Sequence, residues 1–286
     1  MPMKPSTFQW RNSDAIDLDE AITAIAPFYN LDFGFLNSDI SMYKNLAERS
    51  GGRILELGSG TGRLAIPLAL AGYTVTALES NSAMIRLGEK AMHEAGISIC
   101  ASDMRGFSAD EPFDLIICAL STFCHLLSAS DQRSALATVT RNLSPGGFAV
   151  FDLPALSSAD WDTEPQPLQL EWVRTDPLSG RVITKLSTFE AYPADQIQLV
   201  TYIYDEQIEP SPITEQDFNA RPGHGIRRTL AQFLIRHVFR FEMEKLLMGA
   251  GLSPVGWYGT YEMDSPPDGD RLIVIARHME EGIASE

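Results

Sequence analysis

Residues 54 to 63 read Ile-Leu-Glu-Leu-Gly-Ser-Gly-Thr-Gly-Arg. The apolar run Arg53 to Leu57 passes straight into three glycines spaced by two: Gly58, Gly60 and Gly62. A helix-compatible stretch follows at once. Glycine has no Cβ, so its backbone can turn sharply and approach a ligand closely. Unpaired N–H groups at the start of the next helix can receive an anion or carboxylate. Strand, glycine turn and helix in this order predict a parallel sheet with a ligand at its C-terminal edge. A tight turn with no ligand is the alternative for a glycine triplet standing alone.

The surrounding residues argue against that alternative and suggest an adenosine-containing ligand. A nicotinamide or flavin turn reads G-x-G-x-x-G, which would put its last glycine at position 63, where this chain has Arg63. Glu56 lies two residues before the first glycine, where dinucleotide sites usually have an apolar residue. The next apolar run, Tyr73 to Leu78, ends in Glu79, twenty-one residues after Gly58. A carboxylate there can accept both ribose hydroxyls; its alternatives are a solvated charge or a cap for the helix beginning near Asn81. A third run, Ile97 to Ala101, ends in Ser102-Asp103-Met104. Asp103 suits the exocyclic amine of adenine, with Met104 packed on the ring. Runs from Phe113 to Leu120 and Gly147 to Leu153 complete five strands alternating with helices, as βαβ units require.

Length and composition narrow the class. The chain has 286 residues, 44% of them hydrophobic, enough for one elaborated domain or a domain with a subdomain. Its longest apolar stretch, Leu64 to Val75, is interrupted by Pro67 and Gly72 and is too short to span a bilayer. Met1 to Thr7 has no apolar signal core, so a cytoplasmic protein is expected. The net charge of −16 disfavours nucleic acid as a partner and suits a small, even cationic, substrate. Cys100, Cys118 and Cys124 lack metal-ligand spacing and read as small apolar residues in a reducing compartment, with no metal site expected.

Residues 1 to 20 are polar and expected to be loose. Asp39 to Ser50 is predicted helical, closed by Gly51-Gly52. Pro67 is expected to bend the helix after the glycine turn. After Pro154 the texture changes. Residues 155 to 168 read as a linker, and an antiparallel meander follows in Leu168 to Thr175, Arg181 to Tyr192, Ile197 to Glu206 and Ile226 to Phe239. A proline-rich stretch with Pro210, Pro212 and Pro222 interrupts it. A helix from Phe241 to Gly249 and two runs, Ser253 to Tyr258 and Asp270 to Arg277, end the chain as a closing hairpin. The acidic group Asp264, Asp268 and Asp270 reads as a solvated loop.

Taken together, Leu55 to Arg63, Ser102 to Phe107, Thr122 to Leu127, Leu143 to Leu153 and the Glu-x-x-x-Leu-Leu-x-x-Ala-Gly-Leu pattern in the tail resemble the class I S-adenosylmethionine-dependent methyltransferases. Within them the chain is similar to the bacterial small-molecule branch of amino-sugar N-methyltransferases and glycine N-methyltransferase-like enzymes. The resemblance implies an α/β fold with a Rossmann-like seven-stranded sheet, last strand antiparallel, plus an antiparallel β insertion. It implies a helical cap over 1–50, a cofactor core over 51–154, an insertion roofing the substrate pocket over 155–240, and a closing unit over 241–286. The cofactor would be S-adenosyl-L-methionine, and a homodimer through the insertion is a possible assembly. Two positions depart from the pattern: Glu79 stands where Asp is commoner, and Phe33 where amino-sugar enzymes tend to carry a second tyrosine.

The site implied is as follows. Glu56, Gly58, Ser59, Gly60, Thr61, Gly62, Glu79, Ser80, Met84, Asp103, Met104 and Leu120 would hold the cofactor. Methyl transfer is an in-line displacement, so the protein must align the acceptor and remove a proton. His125, after the fourth strand, is the candidate base, with a purely packing role as the alternative. Tyr29 is the second catalytic candidate, otherwise an aromatic pin for the cap. Arg236 and His237 on the roof are substrate candidates, although adjacent strand residues point to opposite faces. The expected reaction is methylation of an amine nitrogen; O-methylation and non-catalytic binding of the adenosyl cofactor are the alternatives.

Overall fold

A computed structural model describes residues 16–163, 166–208, 225–265 and 269–279. The proline-rich stretch around Pro210, Pro212 and Pro222, and Asp268, lie outside the described residues.

Three helices come first: α1 (Leu18–Ile25), α2 (Tyr29–Phe33) and α3 (Ser38–Ser50), with a 3₁₀ turn at Ala26–Phe28. Of the start expected to be loose, residues 1–15 lie outside the described residues, and Leu18 to Glu20 are helical. Asp17 sets the start of α1, because its carboxylate accepts the N–H groups of Asp19 and Glu20. Alternation then follows: β1 (Arg53–Leu57), α4 (Ala65–Leu70), β2 (Thr74–Glu79), α5 (Ser82–Glu94), β3 (Ser98–Ala101), β4 (Phe113–Cys118), α6 (Ala129–Asn142) and β5 (Leu143–Pro154). The insertion is β6 (Gln169–Thr175), β7 (Val182–Tyr192), β8 (Ile197–Ile208) and β9 (Gly225–Arg236). The chain closes with α7 (Arg240–Gly249), β10 (Leu252–Tyr258) and β11 (Arg271–His278).

The main sheet has seven strands in the order β10-β11-β5-β4-β1-β2-β3. Neighbours among β1 to β5 pair parallel, while β11 runs antiparallel to both β5 and β10. This is the expected sheet with its last strand reversed. The second sheet has four antiparallel strands in the order β6-β7-β8-β9. Both faces of the main sheet are covered, which is why its strands read as near-continuous apolar runs. Ile54, Val75, Ala77, Leu115 and Ile117 pack in one core with α3 and α4; Leu55, Leu57, Ile116, Ala149 and Phe151 pack in another with α6 and α7.

Pro67 lies near the start of its helix. Because α4 begins at Ala65, Pro67 falls in the first turn, where proline is best tolerated. The order of strands brings the ends of β1, β2 and β4 side by side, and the inner face of the four-stranded sheet lies over α1 and the turn after β4.

Candidate active site

Gly58, Gly60 and Gly62 all have left-handed backbones, with φ of 66°, 58° and 85°. The turn is pinned to its neighbour strand: the Gly58 and Ser59 N–H groups both donate to the Leu78 carbonyl, at 2.8 and 3.0 Å. A Cβ on Gly58 would lie 2.4 Å from Thr122 Cγ2. At Gly60 the nearest atoms would be the Tyr29 ring, at 3.4 Å. Tyr29 therefore lies across the turn, and burial pushes its phenol up to about 12.

Glu79 ends β2 and faces the turn. Its Oε2 accepts the Gly60 N–H at 2.9 Å and its Oε1 accepts that of Asn81 at 2.8 Å. Both oxygens keep a second lone pair for a further donor. Asn81, not Glu79, caps α5, accepting from the Ala83 and Met84 N–H groups. Ser80 is exposed beside them, and Met84 is buried against Ala26, Ala83 and Tyr29.

Glu56 lies beneath the turn. It accepts the Ala65 N–H, so the first turn of α4 is met by a side chain of the chain itself. Its Oε2, like Ser59 Oγ, is buried without a partner. Burial pushes the Glu56 carboxyl up to about 8, against the opposing pull of Arg63. Arg63, at the position where a dinucleotide turn has glycine, forks onto Asp39 at 2.9 and 2.6 Å and donates to the Leu36 carbonyl at 3.0 Å. Arg63 thus anchors α3 to the turn. Nothing in the linear spacing announced this pair or the bond from Thr61 to Asn30 Oδ1 at 3.0 Å.

Asp103 follows β3. Its carboxylate is gripped by Arg105 Nε and Nη2, the latter at 2.6 Å, and this holds its pKa below the ordinary carboxylate value. Met104 is partly buried against the adjacent core. The structure thus puts Glu56, Ser59, Gly60, Glu79 and Tyr29 around one turn. Asp103 stands after the neighbouring strand, with its carboxylate turned to Arg105.

The turn after β4 is backbone-strained. Leu120 and Ser121 are both left-handed, at φ 47° and 62°. Asp152 at the end of β5 braces them. Its Oδ2 accepts the Leu120 N–H at 3.1 Å, and its carbonyl accepts the Ser121 N–H at 2.9 Å. Arg271 donates from Nε to Asp152 at 2.7 Å and from Nη2 to Ser121 Oγ at 3.2 Å. This brace was not anticipated from sequence, although an acid closing an apolar run, as Glu79 does, was the available signal.

Beyond the brace, His125 sits in a short 3₁₀ turn, Thr122–His125. Its ring lies 5.8 Å from that of Phe233 on β9, and its Nδ1 is buried without a partner. Burial pushes the imidazole down to about 4, so it is neutral at neutral pH. Phe233 in turn meets Tyr202 at 5.3 Å. Tyr202, Val200, Ser187, Gln198 and Glu171 help line a cavity of about 230 Å³ beneath the four-stranded sheet. Arg236 does not face that cavity's lining; it is bound to Gln132 Oε1 at 2.7 Å and Glu242 Oε1 at 2.6 Å, joining β9 to α6 and α7. His237 is buried against Trp161 and bonded to Gln198 Oε1 at 2.8 Å, with its pKa depressed by burial to about 4. Cys118 and Cys124 are buried and Cys100 is partly so. Among the described residues no group of His, Cys, Asp and Glu could hold a metal ion, and no helix is long and apolar enough to cross a membrane.

A seven-stranded sheet with this order and one reversed strand, a left-handed glycine turn and an acid closing the second strand define the class I methyltransferase fold. Residues 54–147 match the family model of a methyltransferase domain. Among curated relatives it is 29% identical over 102 residues to a cypemycin N-terminal methyltransferase from Streptomyces sp., covering 36% of this chain and 42% of the relative. The chain spans between 39% and 63% of the length of the first curated relatives it matches. Among solved structures it is similar to the CcbJ methyltransferase from Streptomyces caelestis, with a TM-score of 0.71, 20% identity, and coverage of 89% of this chain and 96% of that one. It is also similar to CalS10, an amino pentose methyltransferase from Micromonospora echinaspora solved with S-adenosylmethionine bound, with a TM-score of 0.64, 20% identity, and coverage of 85% and 89%. At these identities the two structures establish the fold.

The residues present fit the cofactor. The glycine turn leaves backbone accessible, Glu79 keeps free lone pairs beside it, and Glu56 Oε2 and Ser59 Oγ are buried polar atoms without partners in the same place.

Proposed function

We propose that the chain transfers a methyl group from S-adenosylmethionine to the nitrogen of a small-molecule amine. The bound cofactor supplies an electrophilic methyl group on a sulfonium. Glu56, Gly58 to Gly62, Glu79, Ser80, Met84 and Leu120 are the residues we assign to holding it, with Asp103 and Met104 at the adenine end. The Asp103 carboxylate must then share or leave Arg105.

One observation supports the acceptor side best. His125, neutral and with an unpartnered Nδ1, stands at the strained end of β4 against Phe233, which adjoins the cavity wall at Tyr202. An amine must lose its proton to attack; we assign its acceptance to His125, whose imidazole must first be relieved of the burial that holds it near 4. A cavity of about 230 Å³ suits a single small ring better than a macromolecule. The names of similar proteins point the same way, an N-terminal methyltransferase among the relatives and an amino pentose methyltransferase among the solved structures. The cap, core, roof and closing unit, with bounds 1–50, 51–154, 155–240 and 241–286, would divide this work between cofactor and acceptor.

The test is transfer from methyl-labelled S-adenosylmethionine to a panel of amino sugars, short peptides, simple amines and phenols, followed by mass spectrometry. Label on nitrogen supports the reading. Label on phenolic oxygen alone replaces it with O-methylation, and binding of the cofactor with no transfer to any acceptor replaces it with a non-catalytic role.

A further inference from the structure

The five-residue helix α2 is tied by polar bonds at both ends of the problem. Toward the cofactor turn, Tyr29 lies over Gly60 and Asn30 accepts from Thr61. Toward the roof, Asp32 is buried, with its side chain only 3% exposed, and takes three donors from the four-stranded sheet. Lys185 Nζ and Trp172 Nε1 each reach its Oδ1 at 2.9 Å, and the Tyr204 hydroxyl reaches its Oδ2 at 2.5 Å. Arg174 adds a bond to the Leu31 carbonyl and lies 4.0 Å over the Phe35 ring.

These contacts form one continuous chain. Tyr202, on the acceptor cavity, has the Lys185 ammonium 3.9 Å above its ring. The same ammonium pairs with Asp32 and lies 5.9 Å from the Phe33 ring. Phe33 meets Tyr29 at 5.1 Å, and Tyr29 lies on Gly60. A buried ion pair adds little net stability compared with an apolar replacement, but removing one partner leaves the other uncompensated. Such a pair holds one arrangement tightly and makes others costly.

We propose that Asp32 is a positioning residue that couples the acceptor cavity to the cofactor turn. An acceptor pressing on Tyr202 shifts Lys185, and Asp32 passes the shift to Tyr29 at Gly60. By linkage, whatever fixes Tyr29 over a bound cofactor also sets the Lys185 ammonium and the cavity wall. The proposal rests on the methyltransferase reading above.

The experiment measures S-adenosylhomocysteine affinity by calorimetry on the full chain and on Asp32→Asn, Tyr204→Phe and Trp172→Phe, with melting temperatures in parallel. None of the three substituted side chains has been assigned to the cofactor. Expected is about tenfold weaker binding for Asp32→Asn and a few-fold for the other two, with acceptor KM rising more than kcat falls. Variants that fold and melt lower yet bind S-adenosylhomocysteine as the wild type does overturn the coupling and leave Asp32 a purely structural tie. If Asp32→Asn fails to fold, the two milder variants decide the question. A wild-type chain that binds no S-adenosylhomocysteine overturns the enzymatic reading, and this proposal with it.

Discussion

The carboxylate of Asp152 accepts the backbone N–H of Leu120 at 3.1 Å, across the gap between two neighbouring parallel strands. Leu120 and Ser121 are both left-handed, a conformation that costs a residue other than glycine roughly 1–2 kcal/mol. Such strain persists only where the surroundings over-determine it, and it gathers at functional sites. Asp152 and Arg271 supply that determination here.

Asp152→Ala removes both the brace and the partner of the buried Arg271. The expected loss is about 3–5 kcal/mol of unfolding free energy, the range for breaking a buried ion pair from one side. Urea unfolding checks it. A loss below about 1 kcal/mol would show that Arg271 finds another partner and that the turn holds itself.

Gly58 and Gly60 separate packing from conformation. A methyl at either pays the left-handed cost, but at Gly58 it also meets Thr122 Cγ2 at 2.4 Å. Gly58→Ala should therefore lose about 1–3 kcal/mol more than Gly60→Ala in chemical denaturation. Equal losses would mean that Thr122 moves aside freely.

Glu56 carries an inverted pH dependence. Burial raises its folded pKa to about 8, above the ordinary carboxylate value. Above an unfolded pKa of about 4.3 the unfolded chain releases this proton first, so stability falls as pH rises toward 8. Glu56→Gln should thus melt higher than the wild type at pH 8 and level with it at pH 4. Should Glu56 hold the ammonium of the cofactor, S-adenosylhomocysteine binding below pH 8 releases a proton. Calorimetry in buffers of different ionisation enthalpy reads this directly, and the release should vanish in the variant.

His125 and His237 act in the opposite sense. Burial depresses both His125 and His237 to about 4. Their neutral forms favour the folded chain, so that stability is full above an unfolded pKa of about 6.5 and is lost as pH falls from there toward 4. The difference in urea midpoint between the wild type and His125→Asn/His237→Gln should shrink or reverse over that window. On the activity side, His125→Asn should lower kcat for an amine acceptor by at least about tenfold if the imidazole takes the proton. Turnover close to wild type would reduce His125 to a wall of the pocket.

Local sequence determined the strands, the glycine turn and the caps, because these depend on neighbours in the chain. Arg53 to Leu57 is apolar enough to be buried on both faces, the three glycines alone tolerate the left-handed turn, and Asn81 caps α5 from two residues away. The same reasoning read the antiparallel insertion, while the reversed last strand followed from the resemblance to the methyltransferases. Local sequence did not show where Pro67 would fall in its helix, since the start of α4 was set by the turn before it. Only the tertiary structure decided which side chains complete the site. The partners in Asp39–Arg63, Asp32–Lys185 and Asp152–Arg271 lie 24, 153 and 119 residues apart. A charge in a sequence carries no mark of its partner, because burial and pairing are properties of the folded interior; the same holds for Arg236, whose carboxylate and amide partners come from two helices that β9 meets only after the sheets have assembled.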